Sequence, residues 1–212
     1  MRASTLTSFT AGAVMGGLSA AAAYGSVSKS SQLFGPTVYR GSGESRTIAL
    51  TFDDGPSEGT LPLLEYLNRE NVFATFFQCG KNVWRRPDIA GQVAAAGHQL
   101  GNHSYSHPNL VFKSSEFIDR EFTEAQKIIT FETGLTPMVL RPPYGFRWTG
   151  LRAVQDKLSL LNVLWTVIGN DWRWPAERIQ RHVLKRAAPG GIICLHDGRE
   201  TQRDPAWPGP HP

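Results

Sequence analysis

The chain has 212 residues and a formal net charge of +4, so it is long enough for one sizeable domain and short for two. Hydrophobic residues make up 41% of it and charged residues 19%, which is ordinary for a soluble globular protein. The basic residues are scattered and form no continuous stripe, which argues against a nucleic-acid partner. Cys79 and Cys194 each lie in an apolar run and are interpreted as small buried thiols, not as a disulfide framework.

The first 24 residues differ from the rest of the chain. Arg2 is the only charged residue before Lys29, and an apolar run rich in Ala and Gly covers 9–23. This pattern indicates a secretory signal cleaved after Ala23 or a membrane anchor within 9–24, with a disordered leader as the remaining alternative. We therefore expect a secreted, periplasmic or outward-facing membrane-anchored protein. Residues 25–45 are rich in Ser and Gly and are interpreted as a linker.

From residue 47 onward the chain alternates between strand-like and helix-like segments. The longest predicted helix shows apolar residues at helical spacing from Ile118 to Ile129, and Gly134 closes it. The alternation predicts an α/β fold with a parallel sheet, either doubly wound or closed into a barrel. No glycine-rich dinucleotide fingerprint follows the first strand, which argues against a nucleotide-binding sheet. Strands are predicted at 47–52, 72–77, 98–102, 138–140, 161–167 and 192–195, and helices at 60–69, 87–97, 115–133, 149–158 and 175–188.

Polar residues follow several of these strands at the point where each strand ends. In a β/α barrel the carboxyl ends of the strands converge on one mouth, where catalytic groups gather. Scattered surface residues would not be expected to follow that rule. The residues in question are Asp53 and Asp54, His103, Arg141, Asp171 and His196.

The first of these groups is a pair of adjacent carboxylates, Asp53 and Asp54, at the end of a core strand. Neighbouring acids repel each other and resist desolvation, so a cation, an arginine or both would have to offset that cost. His103 and His107 are spaced to converge on one metal ion, and with one carboxylate they form a ligand set that leaves a position open for water. The alternatives are an Asx-type turn and two unrelated surface histidines.

A second group lies in the run Arg141–Gly145 (RPPYG). The two prolines stiffen this loop, which could aim the backbone N–H of Tyr144 at a developing oxyanion. Arg141 could hold a carboxylate ionised through a bidentate pair. By itself the run could equally be a proline-rich turn with a surface arginine.

The last two groups follow successive predicted strands. A histidine beside a buried carboxylate has a raised pKa and can serve as a general acid, which suits His196 with Asp171. Trp172 and Leu195 could wall a small apolar pocket, or they could simply pack in the core.

Taken together, these motifs resemble the five ordered motifs of the polysaccharide deacetylase family, the NodB-homology type of carbohydrate esterase family 4. Order, spacing and residue type agree over about residues 45–198. The resemblance implies a distorted (β/α) barrel and metal-dependent N- or O-deacetylation of a carbohydrate polymer. The motifs are Thr51–Pro56 (TFDDGP), His103–His107 (HSYSH), Arg141–Gly145 (RPPYG), Asp171–Trp172 (DW) and Leu195–Asp197 (LHD).

The resemblance also implies a role for each matching residue. One divalent ion is expected, with zinc first and cobalt, nickel or manganese as alternatives, because two imidazoles and a carboxylate suit all four. Asp53 would be the general base, positioned by Arg141, and His196 the general acid, tuned by Asp171. The metal ligands would be Asp54, His103 and His107, the Tyr144 backbone would help to hold the oxyanion, and Trp172 and Leu195 would line the acetyl pocket.

The end of the chain departs from the family pattern. The domain is expected to cover 46–198, while 199–212 is polar, rich in Pro and without helical or strand periodicity. We interpret this tail as a sign that the last β/α unit is missing. The expected protein is a monomeric deacetylase of an N-acetylglucosamine polymer such as peptidoglycan or chitin-like chains. The alternatives are a deacetylase of small or lipid-linked sugars, an acetylxylan esterase, and an inactive or carbohydrate-binding protein.

Overall fold

The computed structural model describes Gly17 and residues 19–198, in which eight strands alternate with helices. The signal-like or anchor segment, apart from Gly17 and 19–24, and the tail 199–212 lie outside the described residues. The strands are β1 Thr37–Val38, β2 Ala49–Asp53, β3 Thr75–Gln78, β4 Gln99–Asn102, β5 Val139–Leu140, β6 Leu161–Val163, β7 Val167–Ile168 and β8 Ile192–His196. The helices are α1 (residues 19–27), α2 Thr60–Arg69, α3 Gly80–Arg85, α4 Pro87–Ala95, α5 Ser115–Thr133, α6 Leu151–Leu158 and α7 Ala176–Arg186, with a 3₁₀ turn at Pro143–Gly145.

All strand pairs in the sheet are parallel, which confirms the predicted α/β class. The strand order is β1-β6-β5-β4-β3-β2-β8-β7. In the centre, Asp53 at the end of β2 lies opposite Phe77 on one side and His196 on the other. The carboxyl ends of the strands therefore meet at one edge of the sheet.

The predicted single strand 161–167 is wrong, because this segment changes partners halfway along. Its first part, β6, pairs with β1 and β5, and its last part, β7, pairs with β8. The N–H of Leu164 donates to Val38 and that of Thr166 donates to Ile192 across the change. We call residues 164–166 the seam.

The seam requires the sheet to curl. In a flat sheet, β6 and β7 would lie six strand spacings apart, or about 29 Å. The chain from Val163 to Val167 can span no more than about 14 Å even when it is fully extended. The two ends of the sheet are therefore drawn together, which confirms the expected distorted barrel.

Helix α5 has the bounds that the apolar spacing predicts. The Ser114 side chain accepts a hydrogen bond from the N–H of Phe117 and caps the first turn. Gly134 ends the helix in the left-handed conformation, with φ of 71°. The predicted inner face, which includes Ile118 and Ile129, is fully buried. This helix covers the strands that carry the site.

Some elements lie where the sequence did not indicate them. Helix α3 follows β3 directly and is too short to show a periodic pattern. Strand β1 lies inside the range interpreted as a linker, and it joins the sheet through β6. Strand β3 begins only at Thr75, because Val72 and Phe73 are exposed and precede the paired residues. Within the described residues, no helix has both the length and the apolarity that a membrane span requires.

Candidate active site

The polar residues at the strand ends face one open cleft of about 1500 Å³. Arg141 is fully buried behind Asp53 and does not reach the surface of the cleft. The other residues singled out from the sequence all line it: Asp53, Asp54, His103, His107, Tyr144, Asp171, Trp172, Leu195 and His196.

Asp54, His103 and His107 converge on one point of this cleft. Asp54 Oδ1 lies 3.2 Å from the Nε2 atom of each histidine. A tetrahedral zinc site with bonds of about 2.0–2.1 Å has ligand-to-ligand distances of about 3.3 Å. The spacing of these atoms therefore fits one small divalent ion, and in the described part of the chain this is one of two groups that could hold a metal.

Unusual backbone geometry brings these three side chains together. Asp54 has φ of 73° and His107 has φ of 58°, in a left-handed region that only a few per cent of non-glycine residues adopt. Hydrogen bonds hold the histidine loop in this shape. Ser104 Oγ accepts from the N–H of His107, and the Glu121 carboxylate of α5 accepts from the N–H groups of Tyr105 and Ser106. The two histidines thus lie on a loop that hydrogen bonds hold in place, and not on a helix.

The hydrogen bonds and the charge of these ligand residues also favour a bound cation. His103 Nδ1 lies 2.7 Å from the Arg141 carbonyl oxygen and donates to it, so Nε2 is the ring nitrogen that faces Asp54. Burial by itself raises the pKa of the Asp54 carboxyl, but hydrogen bonds and charge from the two histidines outweigh it. The pKa of Asp54 is held well below its ordinary value. The site therefore offers an ionised carboxylate oxygen and two imidazole nitrogens.

Arg141 links the candidate base to the seam of the barrel. Its Nη1 donates to Asp53 Oδ1 at 2.6 Å, and its Nε and Nη2 donate to the carbonyls of Val163 and Leu164 at 2.9 and 3.3 Å. The guanidinium also lies 4.0 Å from the centre of the Phe77 ring. One side chain therefore fixes the position of the Asp53 carboxylate and satisfies carbonyls where the strand changes partners.

His196 and Asp171 form the second polar pair. Asp171 accepts from the backbone N–H of His196 at 2.7 Å and lies 2.8 Å from its Nδ1. Burial lowers the pKa of His196, but the hydrogen bond to Asp171 and the nearby negative charges outweigh it, so the pKa is raised. The Trp172 ring meets the imidazole edge-on, with 4.8 Å between the ring centres. His196 is thus oriented and ready to carry a proton.

Tyr144 lies across the cleft in the 3₁₀ turn. Its φ is 59°, and its ring packs edge-on against His107 with 4.7 Å between the centres. The proline-rich run therefore lies beside the candidate metal site. The oxyanion role of the Tyr144 backbone stays a prediction.

The end of β8 presents a residue that the motif did not single out. Side chains alternate along a strand, so Cys194 shares a face with His196, while Leu195 lies on the other face and packs against the core cluster that contains Phe52. Cys194 Sγ lies 3.4 Å from Asp53 Oδ2. Both cysteines are free and buried, as predicted. Cys194 lies two residues before His196 in a predicted strand, and this spacing is the signal that could have placed it in the site.

Asp197 ends the LHD motif, but the sequence indicated no role for it. Its Oδ2 accepts from Thr60 Oγ1 at 2.6 Å, and its backbone N–H donates to the Asp53 carbonyl. A Cβ atom on Gly55 would lie 2.3 Å from the Asp197 carboxyl, so only glycine fits there. Asp197 therefore braces the turn that carries both adjacent carboxylates.

The buried Asp197 carboxyl makes the stability of the metal-free protein depend on pH. Burial raises its pKa to about 7, against 3.8 for the unfolded chain, so between these values the folded state keeps a proton that the unfolded state has lost. The free energy of unfolding is expected to fall as the pH rises through this range, by at most about 1.4 kcal/mol per pH unit. Denaturant titrations in a chelator measure this slope.

Asp197→Asn is expected to remove that slope, because the amide does not titrate. The matched control is Asp156→Asn, which changes an exposed aspartate on α6 and should leave the slope in place. Identical slopes in wild type and Asp197→Asn would show that this carboxyl is ionised throughout.

The chain was then compared with known proteins. A family model described as "Polysaccharide deacetylase" matches residues 40–163. Peptidoglycan-N-acetylglucosamine deacetylase PgdA of Listeria monocytogenes is 36% identical over 159 residues, which is 74% of this chain and 34% of that protein. This chain thus spans about a third of the length of that relative.

Two further relatives match over more of their own length. A chitooligosaccharide deacetylase of Azorhizobium caulinodans is 36% identical over 164 residues, covering 76% of this chain and 78% of that protein. The solved structure of BA3943, a CE4 family pseudoenzyme from Bacillus anthracis, superposes with a TM-score of 0.73 at 29% identity, covering 76% of this chain and 58% of that one. With a family match over more than half of its residues, this chain belongs to the polysaccharide deacetylase family.

Proposed function

We propose that this protein is a metal-dependent hydrolase that removes N-acetyl groups from a polymer containing N-acetylglucosamine. One observation carries the proposal. The Asp54, His103 and His107 ligand set lies in the same cleft as a carboxylate paired with arginine and a histidine paired with aspartate. These are the parts that hydrolysis of an unactivated amide requires, namely a base, an acid and an electrophile.

The ion would be held by Asp54, His103 and His107, and zinc is the ion we propose. When bound there, it supplies Lewis acidity for the acetyl carbonyl oxygen and for a water molecule. Cobalt, nickel and manganese accept the same donors and stay alternatives.

The protein's own residues would move the protons. Asp53 would accept a proton from the attacking water, because the Arg141 guanidinium holds and directs its carboxylate. His196 donates a proton to the departing sugar nitrogen, which is a poor leaving group without it. The backbone of Tyr144 would help to stabilise the oxyanion, and Trp172 would line the acetyl group together with the part of Leu195 that borders the cleft.

The substrate class rests on the relatives and on the cleft. The two curated relatives act, by name, on peptidoglycan N-acetylglucosamine and on chitooligosaccharide. The cleft is open, so a chain could cross it, and the exposed rings of Trp172 and Tyr144 stand on its two sides. Peptidoglycan lies outside the cytoplasm, which agrees with the export or outward-facing attachment that we propose through residues 9–24.

A second candidate is a protein of this fold without activity. The similarity to a pseudoenzyme supports this candidate. The presence of all the expected catalytic and metal-binding residues in the cleft or directly behind it favours the active alternative.

The test is acetate release from chitooligosaccharide, peptidoglycan and acetylxylan, before and after a chelator and after the ion is restored. We expect release from a substrate with N-acetylglucosamine, loss with the chelator, and recovery with zinc. His103→Ala should lose both bound metal and activity. The control His182→Ala changes a histidine of α7 that packs on Trp174, and it should keep both.

Each of the other outcomes selects an alternative. Release from acetylxylan alone would indicate an esterase. Bound metal and retained substrate without any acetate release would indicate the inactive protein.

A further inference from the structure

We propose that Asp53, Cys194 and His196 form a second cation site, which accepts a soft divalent ion such as Cd²⁺ and blocks the active site when it is filled. One ligand atom from each of these residues lies within 4.8 Å of the other two. The binding step stands by itself, and only the inhibition rests on the proposed deacetylase function.

The spacing of the donor atoms fits an ion bound between them. Cys194 Sγ and Asp53 Oδ2 are 3.4 Å apart. A tetrahedral zinc ion with a thiolate at about 2.3 Å and a carboxylate at about 2.0 Å would hold these atoms about 3.5 Å apart. The two atoms therefore need little movement to share an ion.

The third ligand keeps one ring nitrogen that the Asp171 carboxylate does not engage. His196 Nδ1 is engaged by the Asp171 carboxylate at 2.8 Å, so Nε2 is the nitrogen that can bind an ion. A carboxylate behind the imidazole is the usual support of a metal-binding histidine. Asp171 would thus support His196 in this site as well as in proton transfer.

The two candidate cation sites differ in the chemistry of their donors. The first offers one oxygen and two nitrogens, while the second replaces one nitrogen with sulfur. Thiolate sulfur favours soft ions, so Cd²⁺ should prefer the second site more strongly than Mn²⁺ or Co²⁺ does. Cys194 is fully buried beside the cleft, so an ion would have to enter the second site from the cleft.

Arg141 should make the second site the weaker one. Its Nη1 holds Asp53 Oδ1 at 2.6 Å and leaves Oδ2 for the ion, but its positive charge opposes a cation nearby. Binding also releases the thiol proton of Cys194 to solvent, as well as the second imidazole proton of His196 where that ring is charged. We therefore expect the first ion to bind at Asp54, His103 and His107, and a second to follow at higher concentration.

Filling the second site would stop deacetylation. The ion would occupy the oxygen of Asp53 that is not held by Arg141 and the nitrogen of His196 that is not held by Asp171. Neither residue could then transfer a proton. Inhibition should therefore rise with occupancy of the second site.

The experiment starts from protein that holds one zinc ion and adds Cd²⁺ in equilibrium dialysis. Wild type is expected to bind one further equivalent, with the ultraviolet charge-transfer absorbance of a cadmium–thiolate bond. Cys194→Ser should lose this absorbance and bind the added Cd²⁺ at least about tenfold more weakly, since even outer partners of a ligand contribute 10–100-fold. Cys79→Ser is the matched control, because it removes the other buried thiol, and it should keep both signals.

Two results would overturn the proposal. One is wild-type protein that gains no cadmium–thiolate absorbance. The other is a Cys194→Ser protein that binds the added Cd²⁺ as tightly as wild type. If Cys194→Ser does not fold, cadmium NMR of the wild type decides, because the chemical shift separates a sulfur ligand from nitrogen and oxygen alone. None of these measurements needs turnover, so they stand apart from a failure of the proposed function.

Discussion

Arg141→Met is expected to destabilise the protein by about 3–5 kcal/mol, the cost of leaving one partner of a buried ion pair alone. The side chain is fully buried and touches Asp53 Oδ1 at 2.6 Å. Removing it also leaves the carbonyls of Val163 and Leu164 without their guanidinium donor at the seam. Denaturant unfolding measures the change, and acetate release should fall with it because Asp53 is no longer held.

Two variants separate this effect from a general loss of charge. Arg152→Met removes an exposed arginine that pairs with Asp156, and it should cost less than about 1 kcal/mol. Arg141→Lys should recover part of the stability, because an ammonium can pair with Asp53 but cannot also reach both carbonyls. A free energy of unfolding for Arg141→Met within about 1 kcal/mol of the wild-type value would contradict the stabilising role that we assign to Arg141.

His196→Ala is expected to reduce the rate on N-acetyl substrates by 10²–10⁴-fold, the usual contribution of a positioned general acid. An amine cannot leave without a proton, whereas the phenolate of an activated aryl acetate can. The same variant should therefore lose less than about tenfold on an aryl acetate. The measurement is kcat on both substrates with the zinc-loaded protein.

The pH profile supplies an independent check of the same role. Asp171 helps to raise the pKa of His196, and an acid must be protonated to work, so activity should fall as the pH rises through this pKa. Asp171→Asn should lower the pKa and move that fall to lower pH. If His196→Ala lowered kcat equally on the amide and on the aryl ester, this residue would only shape the cleft and would not act as the general acid.

Local sequence patterns were sufficient to predict the elements that are stabilised mainly by their own residues. Helix α5 has an apolar stripe, a serine cap and a closing glycine, and its bounds agree with the prediction. The polar residues at the strand ends could also be grouped in advance, because parallel strands deliver their carboxyl ends to the same edge. That rule depends on the order of the elements and not on their exact packing.

No local sequence pattern identifies a residue whose structural partner is distant in the chain. The segment 161–168 is mostly apolar, and only contacts with β5 and β8 divide it into two strands. Short elements such as α3 and β1 have too few residues for a pattern, and they form because their neighbours pair with them or cover them.

The sequence by itself determined the α/β class, the long helix and the set of residues that could carry the chemistry. Only the tertiary structure decided how the sheet closes, which imidazole nitrogen faces Asp54, and that Cys194 shares the site with Asp53. The reason is that propensity and periodicity act over a few residues. Ligand geometry and strand partners, in contrast, depend on contacts between segments that are tens of residues apart.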